Sequence, residues 1–463
     1  MEFIDRENER NRLKQALHSP KPRFIVIYGR RRMGKSTLIK NILTSDDIYY
    51  EVEQNEPQIQ LDMLSRTISQ SYPAFSGARF ESWESLFLAF NEICIVNSTL
   101  VLDEFPYLVN KQQSLPSTLQ RLIDSGNLKY NIIICGSSQR MMQKMVLGPA
   151  EPLYGRADEK LLLGPIAPRF WQKAFNLSAK AAVEEFAVWG GVPRYWALRE
   201  NYSSMCEAIE YLALDEHGVL ANEPVALFLD EVSDLAPYSS IMTALAEGNN
   251  RFSAISSKTG LKTTELPTPL ANLAEMFYIS KEVPFGEDEA KTKKTLYVFN
   301  DPFIEFYYTF IAPNKSLLAL GRIDPVKQLI ANRFPLLVSR VWERMCRRAV
   351  SGNQFFGDYW NVASRWWGKM PVFEEGRKTP SSYMEAEFDL VSESLDKKRL
   401  LFGECKWTQP DYASRILHKL KEKAAHAPFV KGREVEFVLF LKNSPLDHPD
   451  CHVLLPDDVI AHA

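Results

Sequence analysis

The feature that most constrains this chain is the stretch from Phe24 to Lys40, in which an apolar run ends at a glycine and a helical pattern begins. Residues 29–36 read GRRRMGKS, the Walker A pattern G-x-x-x-x-G-K-S, with a strand pattern before it and a helix pattern after it. The two glycines let successive backbone N–H groups point inward, and the following helix adds the positive end of its dipole. The sequence therefore predicts a cradle for a triphosphate, and the complete motif leaves little room for a glycine-rich turn that binds nothing.

The residues of this loop have separate expected roles in binding ATP. Lys35 would reach the β- and γ-phosphates, the Ser36 hydroxyl would ligate Mg²⁺, and Thr37 would face the α-phosphate. The predicted nucleotide-binding set comprises Gly29, Arg30, Arg31, Arg32, Met33, Gly34, Lys35, Ser36 and Thr37.

A second motif, residues 99–105 with the sequence TLVLDEF, is an apolar strand that ends in two acids. We interpret it as Walker B, in which Asp103 would hold Mg²⁺ through a water and Glu104 would orient and deprotonate the attacking water. An apolar run before Asp-Glu is a weak signal alone, because many strands end in a solvated acid. Its position after a Walker A loop makes it strong.

A third apolar strand, residues 131–136, stops at Ser137 and Ser138. A polar side chain at that point can touch the γ-phosphate or the attacking water, so one of the two serines is a sensor candidate, with Ser137 the first choice. The alternative is a helix cap, since serine is a favoured N-cap residue. Farther along, Arg156 is the best-placed cation to sense phosphate charge, although it could equally be a surface arginine.

Length and composition describe an ordinary folded protein with several domains, because 463 residues exceed one comfortable hydrophobic core. The six cysteines are scattered without C-x-x-C pairs, which is typical of a reducing compartment. The N-terminus lacks a signal pattern, and no apolar run reaches the ~18 residues that span a bilayer. We therefore expect a cytoplasmic protein without a membrane partner.

The charge is distributed unevenly along the chain. The formal net charge is −3, with +4 on residues 311–463 and −7 on residues 1–310. The positive excess is too small to predict tight nucleic-acid binding by itself. Any partner with a phosphate backbone should nevertheless prefer the C-terminal end.

Residues 225–310 have the pattern of a winged helix, with three short helices followed by two strands around a charged loop. DNA reading is one interpretation. The third helical region, however, offers Lys262 against Glu265 and Glu275, and two prolines break its regularity. A recognition helix normally presents more basic and amide side chains, so packing or partner binding is favoured.

The C-terminal part contains a second chemical constellation on two strand-like segments, residues 387–391 and 400–407. Because strand side chains alternate, Glu404 and Lys406 should share one face, and a hairpin partner would set Asp389 beside them. Two carboxylates can bind Mg²⁺ and activate water, while a lysine stabilises the charge of a phosphodiester transition state. Glu343, on an upstream helix, is the third acid expected at this C-terminal metal site, which is separate from the predicted ATP-associated Mg²⁺ ligands Ser36 and Asp103. The alternative is a solvated face of salt bridges.

The aromatic segment Arg365-Trp366-Trp367-Gly368 lies upstream of these strands. It could wedge or stack on nucleic acid, but a buried aromatic core is favoured.

Taken together, these motifs resemble the archaeal-type ATPase family within the AAA+ and STAND group of P-loop ATPases. The matching segments are residues 29–36, 102–104, 135–137, 153–156 and 190–195. The resemblance implies a helical lid after the core and a turn in which Pro193 packs against the nucleotide base, whereas read alone that proline is a plain helix stop. The order helix, strand pair, Glu-x-Lys strand, helix, strand resembles the PD-(D/E)XK nuclease fold, a usual C-terminal companion of this family.

We therefore predict an α/β protein with a P-loop ATPase core and parallel sheet (1–165), a helical lid (166–224), a winged helix (225–310) and a restriction-endonuclease-like domain (311–463). The leading hypothesis is a Mg²⁺-dependent ATPase whose nucleotide state controls a DNA- or RNA-acting C-terminal domain. A STAND-like ATP-dependent switch that binds protein partners is the second, and a winged-helix DNA-binding regulator is the third. Oligomerisation stays open.

Overall fold

The structure, a computed structural model, describes residues 4–463 apart from 144–145, 147, 230, 233, 373–379, 409–411 and 431. No helix in this described part is long and apolar enough to cross a membrane. The strands are β1 (Phe24–Tyr28), β2 (Ile48–Glu51), β3 (Thr99–Asp103), β4 (Asn131–Gly136), β5 (Glu159–Leu162), β6 (Ile279–Glu282), β7 (Leu296–Phe299), β8 (Gln354–Phe355), β9 (Asp358–Tyr359), β10 (Ser364–Val372), β11 (Ser382–Glu393), β12 (Arg399–Lys406), β13 (Glu434–Leu441) and β14 (His452–Leu454).

The α-helices are distributed along the whole chain. They are α1 (Glu7–Leu17), α2 (Lys35–Lys40), α3 (Pro57–Ser71), α4 (Trp83–Ile93), α5 (Phe105–Lys111), α6 (Leu115–Asp124), α7 (Gln139–Met142), α8 (Pro168–Ala174), α9 (Ala179–Trp189), α10 (Pro193–Arg199), α11 (Met205–Ile209), α12 (Glu223–Leu229), α13 (Ala236–Ala246), α14 (Phe252–Thr259), α15 (Pro267–Glu275), α16 (Pro302–Phe306), α17 (Lys315–Ala319), α18 (Ile323–Val350), α19 (Ala413–Ala425) and α20 (Pro456–His462). Short π-helical stretches follow α11 and α16, at Glu210–Leu214 and Tyr307–Ile311.

The chain divides into two compact units. Unit 1 comprises Met1–Pro165, Val192–Arg194 and Leu227–Ser233, and unit 2 comprises Ile166–Gly191, Tyr195–Ala226 and Asp234–Ala463. The predicted boundaries after residue 224, between lid and winged helix, and after residue 310, between winged helix and nuclease-like domain, both lie inside segments of unit 2. They stay predictions.

Unit 1 is built on a parallel sheet of five described strands in the order β2-β3-β4-β1-β5. The central strands β1, β3 and β4 are apolar and buried along nearly their whole length, which is typical of parallel strands covered on both faces. The carboxyl ends of parallel strands meet at one edge of a sheet, where ligands bind in open α/β folds. This edge carries the ends of the Walker A, Walker B and Ser137 strands.

The core of unit 1 explains why its helices form where they do. Helix α4 begins after Ser82, whose hydroxyl accepts a hydrogen bond from the Ser85 N–H at 3.1 Å. One face of α4 then buries aromatic rings, and the ring centroid of Phe90 lies 4.8 Å from that of Tyr130. Such edge-on contacts add to the burial of apolar area in fixing the helix on the sheet.

In unit 2, the predicted winged-helix pattern corresponds to α13, α14 and α15 followed by the antiparallel pair β6–β7. Helix α15 begins at Pro267. Proline is tolerated at this position because the N–H groups of the first helical turn have no partner within the helix. The long helix α18, which carries Glu343, begins at Ile323 and continues through Pro335. Proline removes one helical hydrogen bond there without ending the helix.

The C-terminal sheet has the strand order β10-β11-β12-β13-β14. The first two pairings are antiparallel and the last two are parallel, with α19 as the crossover between β12 and β13. The β10–β11 register shifts between Ser364 and Trp366. The prediction of an α/β protein with a parallel sheet in its P-loop core is confirmed, and the C-terminal sheet is mixed.

Candidate active sites

The Walker A loop has a backbone that requires its glycines. Gly29 and Gly34 have φ of 146° and 83°, and a Cβ on Gly29 would lie 2.5 Å from the Leu163 carbonyl oxygen. The buried Lys35 Nζ donates to the carbonyl oxygens of Gly29 at 2.8 Å and Arg30 at 3.1 Å. The lysine is therefore curled over the loop in which it is expected to bind phosphate.

The structure brings the Walker A serine and the first Walker B acid into contact. The Ser36 hydroxyl donates to Asp103 Oδ2 at 2.7 Å, and the Glu104 N–H donates to Asp103 Oδ1 at 2.9 Å. Burial alone would raise the pKa of Asp103, but hydrogen bonds from Tyr49, Ser36 and Cys135 outweigh it and hold the pKa below its usual value. Asp103 is thus an ionised carboxylate beside a hydroxyl.

Tyr49 is a residue of this site that the sequence did not single out. Its hydroxyl donates to Asp103 Oδ2, because β2 lies next to β3 and Tyr49 is level with Val101. Burial, followed by the bond to Asp103, raises the pKa of Tyr49. The Lys40 Nζ lies 4.3 Å from the centroid of the tyrosine ring. The sequence places Tyr49 in a strand, but it does not reveal that this strand is the neighbour of the Walker B strand.

The second Walker B acid contacts the sensor candidate. Glu104 adopts a left-handed backbone with φ of 57°, and its Oε2 accepts hydrogen bonds from the Ser137 N–H at 3.1 Å and the Ser137 hydroxyl at 2.9 Å. Ser138 instead donates to Glu231 Oε2 at 2.7 Å and accepts from the Met141 N–H at 3.2 Å. Ser137 is therefore next to the predicted base, while Ser138 is engaged as a helix cap.

Two residues remote in sequence flank the loop. Pro193 Cγ lies 3.9 Å from the position of a Cβ built on Gly34. Arg6, which sequence analysis did not select, donates from Nη2 to the Met33 carbonyl oxygen at 3.3 Å and to the Gly164 carbonyl oxygen at 2.5 Å. The charged segment before α1 thus anchors the loop.

Arg156 is not where we expected it. It pairs with Asp124, with Nε and Nη2 at 2.8 Å and 2.9 Å from the two carboxylate oxygens. It precedes β5, and the neighbouring Asp158 N–H bonds to Phe24 O at the start of β1. The strands are parallel, so this is the edge of the sheet opposite the phosphate loop, and Arg156 cannot sense the phosphates bound there in the same chain.

The C-terminal acids and lysine do come together. Lys406 Nζ lies 2.8 Å from Glu404 Oε1 and 3.7 Å from Asp389 Oδ2, and the Cys405 N–H donates to Asp389 Oδ2 at 2.9 Å. A second lysine, Lys423 on α19, donates to Glu404 Oε2 at 3.0 Å. Sequence analysis missed Lys423 because nothing in its helix indicates which strand it faces.

Burial and charge perturb this carboxylate cluster. Burial, followed by the charge of Glu404, raises the pKa of Asp389. For Glu404, burial acts in the same direction, but Lys406 and Lys423 outweigh it and lower the pKa. The two acids thus differ in proton affinity although they share one lysine, an arrangement that is frequent at functional sites.

Glu343 lies near this cluster without completing a metal cage. Burial, followed by the charge of Asp389, raises the pKa of Glu343 to about 7. Its carboxylate is 4.0 Å from Arg347, whose Nη1 donates to the Asp389 carbonyl oxygen at 3.0 Å. Among the described residues, no three His, Cys, Asp or Glu form a group that could hold a metal. The predicted Glu343–Asp389–Glu404 cage is therefore not assembled, because lysines occupy both oxygens of Glu404.

Comparison with known proteins gives matches to both parts of the chain. Residues 3–195 match a family model described as an ATPase domain predominantly from Archaea, and residues 307–426 match one for archaeal and bacterial proteins of unknown function. An uncharacterized protein of Methanocaldococcus jannaschii is 29% identical over 413 residues, which are 88% of this chain and 87% of the relative.

The chain is also similar in fold to solved structures. A Walker-type ATPase of Pyrococcus abyssi superposes with a TM-score of 0.50 at 20% identity, covering 66% of this chain and 96% of the other. At this identity the likeness concerns the fold.

Proposed function

We propose that this protein, whose residues 3–195 match a family model for an ATPase domain predominantly from Archaea, hydrolyses ATP with Mg²⁺ and uses its nucleotide state to control a C-terminal domain that acts on nucleic acid. The observation that carries the first half is the 2.7 Å contact between the Ser36 hydroxyl and Asp103 Oδ2. These are two hard oxygen donors at the carboxyl edge of a parallel sheet, and they suit a divalent cation that accompanies a triphosphate.

The Walker A loop supports ATP binding through its shape and charge. A Cβ at Gly29 would clash with the Leu163 carbonyl oxygen, so the loop backbone can follow this path only with glycine there. Within the described part of the chain, Lys35 donates to two neutral carbonyl oxygens, so an anionic phosphate would offer it a stronger partner. Bound Mg²⁺ would neutralise developing phosphate charge.

Hydrolysis requires a group that holds and deprotonates water, and Glu104 supports that role. Two hydrogen bonds from Ser137 fix its Oε2, which leaves Oε1 to accept a proton. General-base catalysis of this type contributes about 10²- to 10⁴-fold to the rate.

The test measures binding and turnover separately. We expect Lys35→Ala to abolish ATP binding, and Glu104→Gln to bind ATP normally but lose turnover, because the lysine supplies affinity and the glutamate acts on water. Lys21→Ala and Glu92→Gln, which change exposed residues of unit 1, serve as matched controls. Equal turnover by Glu104→Gln and the natural protein would refute the role of Glu104.

The C-terminal cluster supports phosphodiester hydrolysis as the second half of the proposal. Asp389 and Glu404 supply oxygen ligands, and Mg²⁺ often binds through one or two carboxylates with water completing its shell. A cation at this point would compete with Lys406 and Lys423 for Glu404. A displaced lysine would then be free to stabilise the negative charge of a phosphodiester in its transition state.

Purified protein with Mg²⁺ or Mn²⁺ should cleave DNA or RNA. Asp389→Ala and Glu404→Ala should abolish cleavage and metal binding without changing ATP affinity. Lys406→Ala should keep the metal and lose cleavage, and Glu434→Ala, at an exposed position of β13, should behave as the natural protein. If neither cleavage nor metal binding occurs, a STAND-like switch that binds protein partners replaces this half of the proposal.

A further inference from the structure

A groove of about 1060 Å³ lies in unit 2 between the start of α14, the segment leading into β7 and the paired strands β10 and β11. We name it the wing groove; it is lined by residues 251–253, 293–295, 297, 367–369 and 385–387. Its volume lies just above the range of ordinary small-molecule pockets, which is about 300–1,000 Å³. The groove therefore has room for a ligand larger than one small metabolite.

The wing groove carries cations that are available to a ligand. Arg251, Lys293 and Lys369 are exposed and form no ion pair with any residue in the described part of the chain. Its acids are partly neutralised, because Glu387 pairs with Arg365. Glu385 opposes Lys369 across the β10–β11 pair. The surplus of positive charge suits an anion with repeated negative groups.

The lining of the wing groove is connected to the carboxylate cluster through Glu387 and Lys423. Glu387, in its lining, lies two residues before Asp389 on β11. The Glu387 carbonyl oxygen accepts a hydrogen bond from Lys423 Nζ at 3.0 Å, and the same Nζ donates to Glu404 Oε2 at 3.0 Å. A single lysine thus connects the groove lining to the predicted metal site.

The lining favours contact with a backbone over contact with bases. Trp367 and Tyr297 are each only 8% exposed, so their faces are covered and cannot hold stacked bases. The first turn of α14, in contrast, lies at the groove with Arg251 beside it, and helix N-termini attract phosphate. The cations would thus contact phosphates at successive positions along a strand.

We propose that the wing groove binds the phosphate backbone of a nucleic-acid strand and leads that strand to Asp389 and Glu404. This inference rests on the proposed phosphodiester-acting function, and it adds the binding path. The strand is either single or one side of a duplex, of DNA or RNA, since all share the phosphate chemistry.

The test replaces the three cations together, as Arg251→Gln, Lys293→Gln and Lys369→Gln in one chain. A matched variant with the same loss of charge carries Lys180→Gln, Arg322→Gln and Lys398→Gln, at exposed positions outside the groove. Binding of fluorescein-labelled dT20, U20 and a hairpin duplex is followed by fluorescence anisotropy in EDTA, so that no strand is cut. Unchanged ATP affinity and unfolding temperature verify that each variant is folded.

We expect the groove variant to weaken binding and to lower the slope of log affinity against log salt by about 2, since each lost contact with a single strand contributes about 0.7. The matched variant should retain the natural slope. An unchanged affinity and slope in the groove variant would overturn the inference while leaving the cleavage assay of Asp389→Ala intact. The inference would also be overturned if the natural protein bound none of the three nucleic-acid probes. It would be overturned as well if polyglutamate bound as tightly as the nucleic acids and its binding depended on Arg251.

Discussion

The contact between Ser137 and Glu104 allows a quantitative test of how the ATPase site works. The Ser137 hydroxyl donates to Glu104 Oε2 at 2.9 Å, and the Ser137 N–H donates to the same oxygen at 3.1 Å. Ser137→Ala removes the first bond and keeps the second. We therefore expect the base to be less well held, with ATP binding unchanged.

The expected loss can be derived from that single bond. A hydrogen bond to a charged group is worth about 1.5–3 kcal/mol, which corresponds to a fall of about 10- to 150-fold in turnover if the whole value is lost in the transition state. If Ser137 acts only through Glu104, the same substitution in a Glu104→Gln background should change the remaining rate by less than about twofold, because no base is left to position.

The assay is steady-state phosphate release by the natural protein, both single variants and the double variant, with ATP affinity measured in parallel. Equal factors for Ser137→Ala in the natural and Glu104→Gln backgrounds would show that the serine acts on the phosphate or the water independently of Glu104.

Three other substitutions give distinct expectations. Pro193→Ala should weaken ATP and ADP binding equally if this residue near Gly34 packs on the adenine; loss of ATP affinity alone, measured by titration calorimetry, would contradict that position. Tyr49→Phe removes a donor that holds the pKa of Asp103 low. As pH falls, the variant should therefore lose activity at a higher pH than the natural protein does, and an unchanged pH–rate profile would exclude this effect. Burial raises the pKa of Glu305, but Arg344 and Arg340 outweigh it and hold the pKa below its usual value. Ionised Glu305 therefore stabilises the folded state fully at pH values above the ordinary glutamate pKa. This stabilisation is lost as pH falls through the lowered pKa. Glu305→Gln should cost roughly 3 kcal/mol at pH 7, the lower end for buried pairs because the arginines are partly exposed, and urea unfolding at pH 7 and pH 4 should show the difference shrinking with acid.

The ATPase site was predictable because each of its motifs sits at the end of its own strand. An apolar run followed by Gly29, Asp103 or Ser137 contains both the strand and the polar residue, and parallel pairing brings such ends to one edge of the sheet. Local sequence together with parallel pairing therefore places these residues at one edge, whereas their individual contacts depend on which strands are neighbours.

Residues that depend on the neighbourhood of two elements could not be predicted in this way. Tyr49 reaches Asp103 because β2 lies beside β3, and Lys423 reaches Glu404 because of the face that α19 turns to β12. The predicted phosphate-sensing role of Arg156 was wrong for the same reason, because Arg156 lies just before β5, at the edge of the sheet opposite the phosphate loop. Local patterns do not encode which elements are in contact.

The C-terminal cluster lies between these cases. The alternation of β12 correctly predicted Glu404 and Lys406 together, and the predicted pairing with Asp389 corresponds to the 3.7 Å distance between Asp389 Oδ2 and Lys406 Nζ. The expected third acid, Glu343, interacts with Arg347 instead. Arg347 is four residues on in the same helix, a spacing that periodicity does indicate, whereas periodicity does not give the position of Glu343 relative to the two acids on the sheet.

The central claim is that the nucleotide bound by unit 1 controls the activity of the C-terminal cluster. The most direct measurement is the rate at which Glu104→Gln protein cleaves a labelled oligonucleotide in Mn²⁺, with saturating ATP, which this variant should bind without consuming, and with saturating ADP. We predict rates that differ by about 5- to 150-fold, the range of typical coupling between sites. Equal rates with the two nucleotides, or no cleavage with either, would contradict the claim.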